Sequence, residues 1–502
     1  MTKTVRRARR TAGRNRPPAC RVLRPPVGKD SVMSAAPPAD RPRAWEWAAV
    51  ASLAVLLLAF GVLVEVRSAF QKSSKTDFGV YARAAWAVRA GADPYTVTDS
   101  NGWHYCYPPT LAVALTPLAD PPRGADRVGY LPFAVSVVVW YLFGLACIGW
   151  AALVLARAIL PDEPTGTRRW WYARTIPVLV CLGGVGFTLG RGQVNLLLVA
   201  LVAGTFAAAV AGRRFASGVW LAGAVALKVI PGLLVLYPLL RRDGRALGGL
   251  AVGLVVLLGV VPAAVWGVPG AVEMDRKVVE LVIEPGATGG GDQTRAKELT
   301  NTTSTDSQSF VAAIHAHLYP DRFTRPPLAD PGTRLAHWAI GAAMTLATVL
   351  VGWRRLRRPP VLTVFPRTAG ATDHFPAPRA RGVADQLVLL GCLCVVMMLV
   401  TPVSHMHYYA MAFPLVAGLW LRGLSVRPGS VTADPRATAA LAAWGLLTAL
   451  PLLPGEPFDR LREAGLGTAA SVGLWALGLW TVSGRPAAAA PAAKPIPFPQ
   501  AA

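Results

Sequence analysis

The chain alternates between long apolar runs and short clusters of basic residues. Residues 46–66, 246–266 and 334–353 hold almost no charge, and each is about the 20 residues that a helix needs to cross a bilayer core. A soluble fold would have to bury all of these runs against one another. The pattern therefore predicts an all-α, multi-pass membrane protein. The basic clusters orient it, because cytoplasmic loops carry the excess of Lys and Arg. Arg241, Arg242 and Arg245 belong on that side, as do Arg354, Arg355, Arg357 and Arg358. The acid-richer segment 267–331 between them belongs on the opposite side, together with Ser404-His405-Met406-His407.

Between Arg67 and Arg241 the runs admit two topologies. If every apolar segment crosses, then Arg157, Arg168, Arg169, Arg174, Arg213 and Arg214 all fall outside, against the rule. They stay inside if residues 108–118, bounded by Pro108-Pro109 and Pro121-Pro122, form an interfacial helix, and if 217–240 form two short helices turning near Lys228-Val229-Ile230-Pro231. The second arrangement is preferred. It predicts about 12 membrane helices with both termini in the cytoplasm, and a first extracytoplasmic loop, 67–127, that contains interfacial helices. The membrane domain spans 44–484, with 267–331 as a second large extracytoplasmic loop. Residues 1–43 and 485–502 read as disordered tails, the first basic and the second rich in Ala and Pro.

Composition sharpens this picture. Charged residues make up 16% of the chain, below the roughly 25% usual in soluble domains. The formal charge of +24 would suggest nucleic acid in a soluble protein. Here the basic residues crowd the N-terminal tail and the loops, with no aromatic-basic surface beside them, so anionic membrane lipid is the expected partner and nucleic acid is not. The first apolar run ends in Val64-Glu65-Val66-Arg67 with no small-residue cleavage site, which reads as a retained anchor. Four of the six cysteines fall in apolar runs and read as small core residues. Cys392 and Cys394, flanked by Leu and Val, do not resemble metal ligands.

In the preferred topology the conspicuous polar residues share one extracytoplasmic level: Asp77, Arg191-Gly192-Gln193-Val194-Asn195, Lys228 and His407. Asp77 either caps the amphipathic stretch that follows it or serves as a carboxylate that accepts a proton at the membrane surface. Lys228 interrupts an apolar run twelve residues from either basic flank, beyond the reach of snorkelling, and a phosphate ligand would explain it. Gln193 and Asn195 either cap a helix or hydrogen-bond a hydroxylated ligand. His405 and His407 have no Asp, Glu or Cys near them in sequence to complete a metal site, so His407 reads as a hydrogen-bond donor or cation rather than a metal ligand.

Together these residues resemble the polyprenol-phosphate-sugar-dependent glycosyltransferases of GT-C fold, most closely glycosyltransferase family 87, which includes actinobacterial mannosyltransferases. The resemblance runs from Asp77 to about Leu421. It rests on Asp77-Phe78-Gly79-Val80-Tyr81 with Gly91-Ala92-Asp93-Pro94-Tyr95, then Tyr107-Pro108-Pro109, Gly192-Gln193-Val194-Asn195, Ala226-Leu227-Lys228, and Thr401-Pro402-Val403-Ser404-His405-Met406-His407-Tyr408-Tyr409. It implies an inverting transferase of the bacterial cell (inner) membrane. Such an enzyme moves one sugar, mannose or arabinose, from a polyprenyl-phosphate donor to a lipid or glycan acceptor on the extracytoplasmic face. In that frame Asp77 is the catalytic base and His407 the matching late histidine, while Tyr81, Tyr107, Arg191, Gln193, Asn195, Lys228 and His405 bind substrate. The family's late motif usually has Trp where this chain has His405 and His where it has Tyr408. A donor with one phosphate needs no metal and no cofactor. The rival class, a transporter or lipid flippase, predicts repeated halves with polar breaks in matching places, and the sequence has none.

Overall fold

The computed structural model describes residues 41–71, 76–292, 294–302, 307–356, 378–427 and 430–484. The expected tails, apart from residues 41–43, and the arginines at 357 and 358 lie outside the described residues. Within the described residues the chain is all-helical but for a two-stranded antiparallel ribbon of Ser425–Arg427 against Ser430–Thr432.

Six helical stretches among the described residues are long and apolar enough to cross a membrane: Ala44–Phe70, Phe133–Ile159, Gly244–Thr288, Pro331–Leu356, Ala380–Val400 and Leu466–Ser483. Two bent pairs raise the number to eight. Arg168–Val180 turns through 64° into Leu182–Arg191, and Pro435–Leu452 through 120° into Glu456–Glu463. Asn195–Val210, Arg214–Leu227 and Ile230–Leu240 are apolar but shorter.

Burial sorts these helices into layers. From Leu387 to Leu399 the Ala380–Val400 helix is apolar around its whole circumference and buried, which makes it the central post. Ala44–Glu65 is equally apolar, yet Val55, Leu56, Leu58, Val62 and Leu63 are exposed. An apolar helix with an outward apolar face belongs in lipid.

Two polar ties fix which ends of the helices lie together. Arg168 donates from Nε and Nη2 to Glu46 Oε1 at 2.9 and 2.7 Å, so the start of Arg168–Val180 sits beside the start of Ala44–Glu65. The Asp77 amide donates to the Arg191 carbonyl at 2.7 Å, so the bent pair runs from the Glu46 end of the bundle to the Asp77 end. The Pro109–Ala114 helix between them is six residues long, roughly 9 Å, far short of a span.

Helix continues past two of the expected loop boundaries. The first helix continues past Arg67 as a π-helical turn, Val66–Phe70. The second expected boundary falls at Gly267. That residue forms a kink at φ 71°, a conformation open to glycine, and helix resumes through Thr288. Arg276 pairs at 2.8 Å with both Glu273 and Glu280, so the charges read as loop polarity are i,i+3 and i,i+4 pairs on a helix.

The Arg214–Leu227 helix, which ends at Lys228, is held by close packing on Gly244–Leu254. An added Cβ would lie 1.9 Å from the Ala246 carbonyl oxygen at Gly218, 2.0 Å from the Phe215 carbonyl oxygen at Gly249, and 2.5 Å from Ala222 Cβ at Gly253. This is small-residue packing of the kind that lets membrane helices approach backbone to backbone. Gly249→Leu should therefore destabilise the purified protein by about 1–3 kcal/mol, the usual range for overpacking. Thermal unfolding in detergent measures it. Gly248→Leu, where a Cβ meets nothing within 4 Å, should leave the transition in place. Equal shifts in both variants would refute the packing argument.

Candidate active site

The site begins where two segments distant in sequence cross. Gly192 ends the Leu182–Arg191 helix in the left-handed conformation, φ 66°, and a Cβ there would lie 2.7 Å from Phe78 Cβ. Glycine is thus required by both the turn and the close pass. Trp140 Nε1 donates to the Gly192 carbonyl at 2.8 Å, which with the Asp77–Arg191 backbone bond locks the crossing.

Asp77 precedes the Phe78–Arg89 helix, but its side chain caps no backbone N–H. The carboxylate is turned instead to Arg191, with Oδ2 at 3.3 Å from Nε. Gln193 is its hydrogen-bonding neighbour. Gln193 Oε1 accepts from Tyr81 at 2.8 Å and from Tyr107 at 3.3 Å, and the two hydroxyls are 3.0 Å apart. With Oε1 occupied as acceptor, the amide nitrogen is the group left to serve Asp77. Burial pushes the Asp77 carboxyl above the usual carboxylate range, while Arg191, Gln193 and Lys228 pull it back.

Lys228 follows the Arg214–Leu227 helix in an extended conformation, φ −154°. It is buried, with Nζ 3.3 Å from Asn195 Oδ1 and 3.9 Å from the centre of the Tyr408 ring. The Tyr107 ring stands 5.6 Å away. No carboxylate of the described residues forms a salt bridge with it. The aromatic faces and an amide oxygen ease the charge without neutralising it.

Asn195 starts the Asn195–Val210 helix without capping it. While Oδ1 receives Lys228, Nδ2 donates to the His407 carbonyl at 3.1 Å. Thr188 Oγ1 donates to the same carbonyl at 3.0 Å. His407 is buried and stacks on Tyr408 at 4.9 Å, with its Nδ1 unpartnered among the described residues. His405, 5.5 Å from it between ring centres, is bridged to Ser307 of the second loop.

These groups surround one cavity of about 660 Å³, the size of a small-molecule site. Asp77, Tyr81, Tyr107, Arg191, Gln193, Lys228, His405 and His407 line it, and Asn195 stands behind, joined to two of them. Apolar residues, among them Val229, Leu233, Ile283 and Met397, make up much of the rest of its lining. Among the described residues no group of three or more His, Cys, Asp or Glu is placed to hold a metal.

Sequence reasoning missed other lining residues: Trp103, His104, Cys106, Glu298, Thr401 and Tyr408. Thr401 and Tyr408 stand in the same late motif as the two histidines, whose chemistry is the stronger local signal. Trp103 and His104 follow the turn signal Asn101-Gly102. Glu298 had no local signal, because it reaches the site through His104, 194 residues away in sequence.

Residues 105–375 match the family model of glycosyltransferase family 87. The chain is also 25% identical over 356 residues to a polyprenol-phosphate-mannose-dependent alpha-(1-2)-phosphatidylinositol mannoside mannosyltransferase of Mycolicibacterium smegmatis, covering 69% of this chain and 68% of that one. It is 27% identical over 367 residues to the protein of the same description from Mycobacterium tuberculosis, covering 70% and 69%. The family match takes in Tyr107, Arg191, Gln193, Asn195 and Lys228; Asp77, Tyr81, His405 and His407 lie outside it and join the site by geometry. A membrane-type helical bundle, a largely apolar cavity that carries convergent polar groups and a match over more than half of the sequence agree on one assignment: the chain is a glycosyltransferase belonging to glycosyltransferase family 87.

Proposed function

We propose that the protein transfers one mannosyl residue from a polyprenyl-phosphate donor to a hydroxyl of a lipid or glycan acceptor at the extracytoplasmic face of a bacterial cell membrane. The observation that carries this reading is the pairing in one cavity of a buried cation that makes no salt bridge, Lys228, with a carboxylate that caps nothing, Asp77. The donor brings one phosphate, which supplies the anion Lys228 lacks, and its polyprenyl chain packs on the apolar residues of the lining. The mannosyl group is the one named in the relatives' descriptions.

The acceptor oxygen attacks the anomeric carbon as the bond from that carbon to the phosphate oxygen breaks. The hydroxyl proton passes to Asp77, and polyprenyl phosphate departs against Lys228 with His407 beside it. A single displacement of this kind inverts the anomeric centre. Phosphate is already a good leaving group, so one base suffices where glycosidases use paired carboxylates. Lys228 neutralises the single phosphate, and the scheme calls for no metal and no cofactor.

The Asp77 end of the bundle is then extracytoplasmic and the Glu46 end cytoplasmic, with about 12 helices in the membrane and both termini inside. The Arg168–Glu46 contact supports this, because it puts the 160–170 segment at the end where the first helix begins. In a background without the native cysteines, Val128→Cys, exposed at the Asp77 end, should react with an impermeant maleimide from outside. Thr165→Cys should react only after permeabilisation. External labelling at 165 would restore the topology in which every segment crosses.

Asp77→Asn keeps the shape and removes the base. Transfer should fall about 100- to 10,000-fold while donor binding persists. The acid limb of the wild-type pH–rate profile should lie above the ordinary carboxylate range. Burial raises the Asp77 proton affinity, so the base is lost as pH falls through that raised value and regained as pH rises. Full transfer in Asp77→Asn, with purified protein and synthetic polyprenyl-phosphate mannose, excludes Asp77 as the base.

Lys228→Met replaces the cation by a side chain of similar length. Affinity for fluorescent polyprenyl phosphate should weaken by about 2–5 kcal/mol with the unfolding transition retained. Unaltered affinity in a destabilised variant would make the lysine structural.

A further inference from the structure

We propose that Trp103, His104 and Glu298 form the subsite that holds a sugar ring of the acceptor, an inference that rests on the transferase reading above. Three observations point there. Glu298 Oε1 accepts from the His104 amide at 3.0 Å and lies 3.2 Å from His104 Nδ1. Glu298 Oε2 is buried and has no hydrogen-bond partner among the described residues, although Glu298 lines the cavity. Trp103, next in sequence to His104, lines the same cavity with the Arg191 guanidinium 5.3 Å from its ring centre.

A buried carboxylate oxygen without a donor is costly. The ligand that relieves it must bring an N–H or O–H group. The donor phosphate is the wrong chemistry, since two anions repel, and it has a better place on Lys228. A hydroxyl-bearing ring fits: one hydroxyl donates to Glu298 Oε2 and the apolar face of the ring lies on the indole. Arg191 links this wall to the reaction centre, because the guanidinium that faces Trp103 is also paired with Asp77 at 3.3 Å. A sugar held on Trp103 and Glu298 therefore has its neighbouring hydroxyls on the Asp77 side of the cavity.

The wall is built to be rigid. Asp99 Oδ1 accepts from the amides of Asn101 and Trp103 at 2.8 and 2.9 Å, and the Asp99 amide donates to the Trp103 carbonyl at 3.1 Å. This Asx turn presents Trp103 and His104 from a closed loop. Glu298 comes from the Ala296–Leu299 turn of the second large loop, which Arg295 fastens to the Tyr95 carbonyl. Two loops far apart in sequence thus meet at a single carboxylate. Selection of the acceptor sits in their contact rather than in the donor machinery.

The test uses the full protein in lipid nanodiscs with polyprenyl-phosphate mannose as donor and octyl mannoside, glucoside and galactoside as acceptors. Equilibrium binding of each glycoside is measured by calorimetry apart from turnover, and polyprenyl phosphate affinity is measured alongside. At least one glycoside should bind the wild type. Glu298→Gln and Trp103→Leu should each weaken that glycoside roughly tenfold or more, the effect of losing a hydrogen bond to a charged group or a comparable contact, with polyprenyl phosphate affinity held within about twofold. The proposal is overturned if no glycoside binds, if both variants bind it as the wild type does, or if they lose polyprenyl phosphate instead. Glycoside binding that the variants lose, in a protein that transfers nothing, keeps the subsite and defeats the transferase reading. Transfer that is unaltered in both variants does the reverse.

Discussion

Lys228 sets the terms for the rest of the structure. A cation in an apolar bundle costs several kcal/mol unless water, an anion or π-electrons receive it, and much of the Asp77 end answers that requirement. The helix that carries it stops one residue earlier, and the extended backbone at 228 swings the side chain toward Asn195 and Tyr408. Asn195 holds the His407 carbonyl with its other amide atom, so the lysine is tied through one asparagine to the far end of the sequence. None of this is possible unless the Arg214–Leu227 helix is fixed in place. Gly218 on that helix, with Gly249 and Gly253 on Gly244–Leu254, meets that need by letting the two helices touch.

The same economy appears at the crossing of Asp77 and Arg191. One backbone bond and one left-handed glycine bring a carboxylate and a guanidinium together from helices more than a hundred residues apart. At the opposite end Glu46 and Arg168 do the corresponding work. Buried ion pairs are weak contributors to stability, yet breaking one leaves an uncompensated charge. They therefore act as registry pins that set which helix ends may sit together.

The apolar runs were legible in the sequence because a span is set by length and hydropathy alone. Lys228 and His407 were conspicuous for a related reason: each stands where local physics gives a weak motive for it, and both line one cavity with Asp77. What local reasoning could not supply was tertiary. Asp77 reads equally well as a helix cap until its carboxylate is seen to face Arg191. Asn195 reads as a cap until both its amide atoms are found on partners far away. The helical form of the stretch after Gly267 was not legible, because charges that pair along one helix face look the same in sequence as charges that face water. Glu298 was invisible, since its meaning depends on His104 and on the folding of a polar loop without periodicity.

The charge balance of the cavity bears on timing in the proposed reaction. Before donor binds, Lys228 lowers the proton affinity of Asp77, as Arg191 does. A phosphate on Lys228 cancels the first of these effects and leaves Arg191 to hold the carboxylate in position. The base strengthens when the donor arrives, which is when an acceptor hydroxyl has to lose its proton. As the anomeric bond breaks, negative charge grows on the phosphate oxygens beside the same lysine, in surroundings where a cation is worth far more than in water. In the proposed reaction one buried lysine would thereby serve both halves of the displacement, restraining the base in the empty site and receiving the leaving group in the filled one.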